Sequence, residues 1–232
     1  MVLQNFYRFI LFKIDSVFSR QCYLTMALII EEVYNKIAND FNKTRYSIWG
    51  SVRKFLDNVK ANSTVLDIGC GNGKNMLYRN DLQFSGIDIS QAQVDICRGK
   101  KLNVIKSNMT DLPFADESFD SAICIATYHH LDNDVARAKA LYEMHRILKV
   151  GGSILLSVWA MEQPSDSHFK FHSSDTLVPW TSRDDGIVYL RYYHIYCVNQ
   201  LVHEINRLCP VFTIKECTYE LGNWICVLHK SS

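Results

Sequence analysis

Apolar positions early in the chain recur with a helical period. Ile29, Ile30, Val33, Tyr34, Ile37 and Ala38 share one helical face, and Ile48, Trp49, Val52, Phe55, Leu56 and Val59 share another, with a polar link over 42–46 between them. From residue 64 the pattern changes to short apolar runs separated by helical stretches. Strands are predicted over 64–68, 84–88, 102–107, 121–126 and 153–159, and helices near 74–79, 91–98 and 135–148, with a Gly151-Gly152 break before the fifth strand. A helix over 201–208 leads into two apolar stretches, 211–219 and 224–229, and the short link between them predicts a closing hairpin. This order predicts an α/β fold: a doubly wound, mostly parallel seven-stranded sheet, helices on both faces, and an antiparallel C-terminal hairpin. Residues 26–232 read as a single domain, with an N-terminal helical cap over about 29–60 and an insertion on the substrate side over about 161–195.

Composition narrows the classes without changing the fold. The 232 residues are 48% hydrophobic, enough for a full core, and with 10 Gly and 4 Pro there is no low-complexity tract. A formal net charge of +1 argues against gripping nucleic acid by bulk charge alone. Charges such as Arg8, Lys13 and Arg20 interrupt the apolar residues of 1–25, so this extension reads as a weak presequence or as chain upstream of a start at Met26, not as a membrane span. Eight cysteines occur singly, with no C-x-x-C pair, which suits a reduced, cytoplasmic compartment. His168 and His172 lack further ligands at zinc spacing, so no metal site is expected.

Candidate chemistry begins where the first strand runs into Gly69-Cys70-Gly71-Asn72-Gly73. Glycines at a strand end let backbone approach a ligand closely, and free N–H groups there favour carboxylate or phosphate. The second strand ends in Asp88, placed to accept from ribose hydroxyls, and Asp67 precedes the glycines. Two carboxylates would repel a pyrophosphate. They suit a ligand with an ammonium group and an unphosphorylated ribose, as in S-adenosylmethionine.

On these residues the chain resembles the class I S-adenosylmethionine-dependent methyltransferases, from about residue 36 to the C-terminus. The resemblance implies that Asp67, Gly69, Cys70, Gly71 and Gly73 surround the methionine part, that Asp88 and Ile89 meet the ribose, and that Asn108, Met109 and Ala126 lie by the adenine or the strand ends. An Asp is usual where Asn108 stands, although an amide oxygen can also accept from an amino group.

Further segments look like those of the eukaryotic tRNA wobble-uridine methyltransferases: Thr44-Arg45-Tyr46 with Trp49, Ile125-Ala126 with His129-His130, 157–163, 177–180, Arg191-Tyr192-Tyr193-His194, and Asn223-Trp224. The likeness implies esterification of 5-carboxymethyluridine at the first anticodon position of tRNA. A carboxymethyl group ionises near pH 4, so the nucleophile is an anion at neutral pH and needs a cation to hold it more than it needs a base. Arg45 and Arg191 are the candidates for that cation, with His129 and His194 assisting. Lys43, Tyr46, Trp49, Tyr128, Trp180 and Tyr193 are candidate substrate contacts, because six basic residues against two acidic ones over 36–60 are interleaved with stacking faces. A small zinc-binding activator of methyltransferases is the implied partner, along an edge strand at 102–107. Nuclear presence is compatible with this reading and a mitochondrial location less so. Two alternatives are a quinone- or sterol-type small-molecule methyltransferase, which gives no reason for two arginines at the crevice, and a degenerate scaffold, which gives none for the intact Asp67 to Asp88 set.

Overall fold

Strands made of uninterrupted apolar residues need covering on both faces. The computed structural model, which describes residues 20–231, shows how the chain achieves this; the extension over 1–25 lies almost wholly outside the described residues. The strands in chain order are β1 (Thr64–Ile68), β2 (Gln83–Asp88), β3 (Val104–Lys106), β4 (Phe119–Ile125), β5 (Leu148–Trp159), β6 (Asp175–Thr181), β7 (Val188–His194), β8 (Phe212–Glu220) and β9 (Asn223–Lys230). The helices are α1 (Arg20–Thr44), α2 (Gly50–Asp57), α3 (Gln91–Gly99), α4 (Asp134–Ile147) and α5 (Gln200–Leu208). Seven strands form one sheet in the order β3-β2-β1-β4-β5-β9-β8, parallel from β3 through β5 and antiparallel in the last two, as the sequence pattern predicts.

Helix α2 covers one face, where Val52 and Leu56 pack on Val65, Ile123, Leu155 and Ile225. On the other face α4 and α5 bury Leu141, Met144, Ile147, Leu201 and Ile205 against Leu66, Ile68, Cys124 and Leu156. Local capping agrees with this packing: Ser90 accepts from the Gln93 N–H at the start of α3, and Asn133 from the Ala136 N–H at the start of α4.

Four local expectations need correction. The helix expected near 74–79 is one 3₁₀ turn, Asn75–Leu77. So short a stretch cannot sustain an α-helix, and its Arg79 instead donates to the carbonyls of Leu56 and Val59. Strand β3 is three residues long, not six, because Lys101 takes a left-handed φ of 61° and Leu102 turns in toward the Cys70 cluster. Strand β5 starts at Leu148 and runs through the glycine pair, which marks a bulge beside β4 and not the strand's beginning. The insertion contains an antiparallel ribbon, β6–β7, that sequence patterning did not predict; Pro179 and the many polar residues obscure its alternation.

Candidate active site

The C-terminal ends of β1, β2 and β4 meet α1 and the β6–β7 ribbon around a cavity of about 610 Å³. Its first wall is the glycine loop. Gly69 has φ +70°, and a Cβ there would lie 2.2 Å from Thr127 Cγ2, so only glycine fits. Gly71 (φ +53°) donates its N–H to Asp88 Oδ2 at 2.9 Å, and the Ser90 N–H binds Oδ1 at 2.9 Å. Burial pushes the Asp88 carboxyl up to about 6 despite those donors.

Asp67 sits just behind the wall. Asn75 Nδ2 donates to its Oδ2 at 3.4 Å, while Oδ1 has no partner among the described residues, and burial pushes this carboxyl up to about 7. A buried carboxylate oxygen without a donor is an unfavourable arrangement that a ligand ammonium, directly or through water, would relieve. Cys70, Ile89, Asn108, Met109 and Ala126 complete this side, with Ala126 in a left-handed turn (φ 52°) at the end of β4. Asn108 Oδ1 accepts from both the N–H and the hydroxyl of Thr110 at 3.0 Å, which leaves it less free for an adenine than the sequence suggests. Gly73 does not reach the cavity. Its φ of +75° is used in packing, since a Cβ would lie 2.3 Å from Leu102 Cδ1.

The opposite wall carries positive charge. Strand period places Trp180, Val178, Arg191 and Tyr193 on one face of the ribbon, and that face meets α1 and the loop after it. The Arg191 Cζ lies 5.0 Å from the Trp180 ring and 5.2 Å from the Tyr193 ring, and the Arg45 Cζ lies 5.1 Å from the Trp180 ring. Trp180 is itself held by its Nε1–H donating to buried Asp40 at 2.9 Å. Arg191 is buried, its Nε has no acceptor, and neither guanidinium forms an ion pair among the described residues. Burial and the charge of Arg191 lower the Arg45 pKa. Two cations thus share a wall, and neither is ion-paired among the described residues.

Several expected contacts lie elsewhere. His129 is fully buried behind the cavity: its Nδ1 accepts from the Trp159 N–H at 3.2 Å, and its ring packs 4.5 Å from Tyr193. Burial and neighbouring cations keep it far below the usual histidine range. The lining imidazole is the adjacent His130. Its Nδ1 is 2.7 Å from the Tyr192 carbonyl, which can only accept, so Nδ1 carries the proton and Nε2 accepts from the Tyr34 hydroxyl at 2.9 Å. Burial drives His130 down to about 3, leaving it neutral at working pH. His194 sits on the other face of β7, with Nδ1 bonded to Asp175 at 2.8 Å. Tyr128 donates to Glu204 at 3.0 Å in the core, and Lys43 is an exposed partner of Asp184. Tyr46, Trp49 and Tyr193 do line the cavity. Tyr34, one of the expected stacking faces, lines it too, whereas Phe169 and Leu221 were not expected there, because single apolar residues in polar stretches carry no periodic signal.

A glycine cradle facing a strand-end carboxylate, in this strand order, defines a class I S-adenosylmethionine-dependent methyltransferase. Comparisons agree: a family described as "Methyltransferase domain" matches residues 66–156. A putative methyltransferase of Encephalitozoon cuniculi is 34% identical over 75% of this chain and 82% of its own length. A tRNA (carboxymethyluridine(34)-5-O)-methyltransferase of Xenopus tropicalis is 31% identical over 87% of this chain, which spans 40% of that relative's length. A putative methyltransferase of Haloferax volcanii, solved in complex with the Trm112 methyltransferase activator, superposes with a TM-score of 0.65 at 16% identity, covering 88% of this chain and 98% of that one. The chain belongs to the methyltransferase family that includes the tRNA (carboxymethyluridine) enzymes.

The residues present fit S-adenosylmethionine, the cofactor of the class: the glycine cradle admits close backbone approach, Asp88 is held by two N–H donors, and Asp67 has an unsatisfied oxygen.

Proposed function

We propose that this chain methylates the carboxylate of 5-carboxymethyluridine at the tRNA wobble position, forming the methyl ester. The observation that carries the reading is the pair of guanidiniums, Arg45 and Arg191, on the cavity wall without a carboxylate partner among the described residues. Arg191 is the buried member of the pair; buried, unpaired charge is costly, and a carboxylate substrate is the partner that offsets the cost. Neither a quinone nor a sterol would.

Bound S-adenosylmethionine supplies a methyl group on a sulfonium. The residues of the chain have three tasks. Arg191 and Arg45 hold one carboxylate oxygen so that the other is free to attack. Tyr34, which donates to neutral His130 and whose hydroxyl favours the charged form of Arg191, holds the wall beside the guanidinium. Trp159, Tyr193 and Phe169 exclude water from the reacting end. No general base is required, in keeping with histidines that are held neutral.

The activator that accompanies the Haloferax neighbour supports a small activator protein as partner of this chain as well, along edge strand β3. Cytoplasmic location belongs to the same proposal. The test is methyl transfer from labelled cofactor to tRNA bearing 5-carboxymethyluridine. An ester releases its label as methanol in mild alkali, and an alkali-stable product or no transfer by the chain with its activator overturns the reading. Full activity of the chain alone overturns the partner.

A further inference from the structure

We infer that Leu221, at the tip of the β8–β9 hairpin, contacts an RNA base, closing with Tyr46 a slot at the cavity mouth for the unstacked neighbour of the methylated nucleoside. The inference rests on the tRNA reading above. Leu221 and Gly222 form the two-residue link between the strands, and both have positive φ, 45° and 81°. Links of that kind favour Asn-Gly or Asp-Gly, and a leucine there is strained. Nor does burial explain it, since Leu221 is 79% exposed. A side chain that opposes local folding and gains no core contact is best explained by a ligand.

The tip is held from three sides. The Glu220 carboxylate accepts from the Ser51 N–H at 3.3 Å and from its hydroxyl at 2.5 Å, and Gly50 allows this approach, because a Cβ there would lie 2.8 Å from Glu220 Oε1. Gln163 Nε2 donates to the Gly222 carbonyl at 3.0 Å, and Asn223 Nδ2 to the Leu221 carbonyl at 3.0 Å. The Glu220 bonds tie the hairpin to the start of α2, directly after the segment that carries Tyr46 and Trp49. Tyr46 is 83% exposed, and Tyr46, Trp49 and Leu221 all line the cavity. The Lys74 ammonium lies 5.9 Å from the Trp49 ring and donates to the Ser47 carbonyl at 2.8 Å. Apolar and aromatic faces beside cations suit a splayed base and its phosphate, and a leucine and a phenol ring set no strong preference for base identity.

The experiment measures anisotropy of a labelled anticodon stem-loop RNA with the full chain, alongside calorimetric affinity for S-adenosylmethionine. Leu221→Gly should weaken RNA binding about fivefold or more without lowering the melting temperature, and Tyr46→Ala should do the same. Leu221→Met should bind within about twofold of the parent, since its apolar face remains. Cofactor affinity should not change in any of them. Parental RNA affinity in Leu221→Gly overturns the inference, as does a matching loss of cofactor binding, or altered association with a protein partner while RNA affinity is kept. Failure of the unsubstituted chain to bind RNA overturns the tRNA reading together with this one.

Discussion

The cofactor side of the cavity is drawn mainly from residues 69–109 with Ala126 at the end of β4, and each strand end delivers its group directly, whereas the cationic side collects Tyr34, Arg45, His130 and Arg191 from separate segments, with the Trp180 ring beside both guanidiniums. Their electrostatics also differ. On the first side backbone N–H groups already stabilise Asp88; on the second, buried Arg191 and the more exposed Arg45 have no ion-paired carboxylate among the described residues. The first is a preformed cradle, and the second is complete only when a substrate brings its own charge.

The largest way to break this contrast is Arg191→Met, which should cut methyl transfer to the carboxymethylated tRNA about a hundredfold or more while leaving calorimetric cofactor affinity unchanged. Next, Gly69→Ala forces a Cβ to 2.2 Å from Thr127 Cγ2 at φ +70°, and should cost about 2 kcal/mol of stability, read by denaturant unfolding. Asp88→Ala should weaken cofactor binding about tenfold and leave RNA affinity intact. Equal loss of cofactor binding in the Arg191 and Asp88 variants would dissolve the division between the two sides.

The smallest effect is that of pH. Asp67 and Asp88 are raised to about 7 and about 6, above the values near 4 at which unfolded aspartates ionise. Between those limits the native state holds more protons than the unfolded chain, so these two groups make the ligand-free protein less stable as pH rises from about 4 to about 7. A positively charged cofactor favours the ionised carboxylates, and its affinity should strengthen over the same rise and level off above about pH 7. Asp67→Asn should flatten both curves, and an unaltered stability profile in that variant would assign the proton uptake elsewhere.

Legibility along the chain follows the same division. Asp88, Gly69 and Gly71 were legible because a strand running into a glycine loop fixes its neighbours within a few residues. Gly73 was misplaced because a glycine admitted for packing against Leu102 looks the same in sequence as one admitted for a ligand. His194 fails on parity: in a strand, residues three apart face opposite ways, so it could not share a face with Arg191. That rule was available only once 188–194 was known to be a strand. His129 and His130 exchange roles because they lie on a 3₁₀ turn, where no simple period says which imidazole faces the cavity. The edge at β3 came from strand order, although its length did not.

Sequence by itself determined the alternating fold, the strand-end carboxylate and the glycine loop, since each depends on local period and on chain geometry over short distances. Tertiary structure alone decided that Arg45 and Arg191 share a wall beside Trp180, that Tyr34 reaches His130, and that a leucine with positive φ lines the cavity. Those relations span up to about the whole domain, and the packing of α1 and the ribbon over the sheet, which no local pattern encodes, brings their members together.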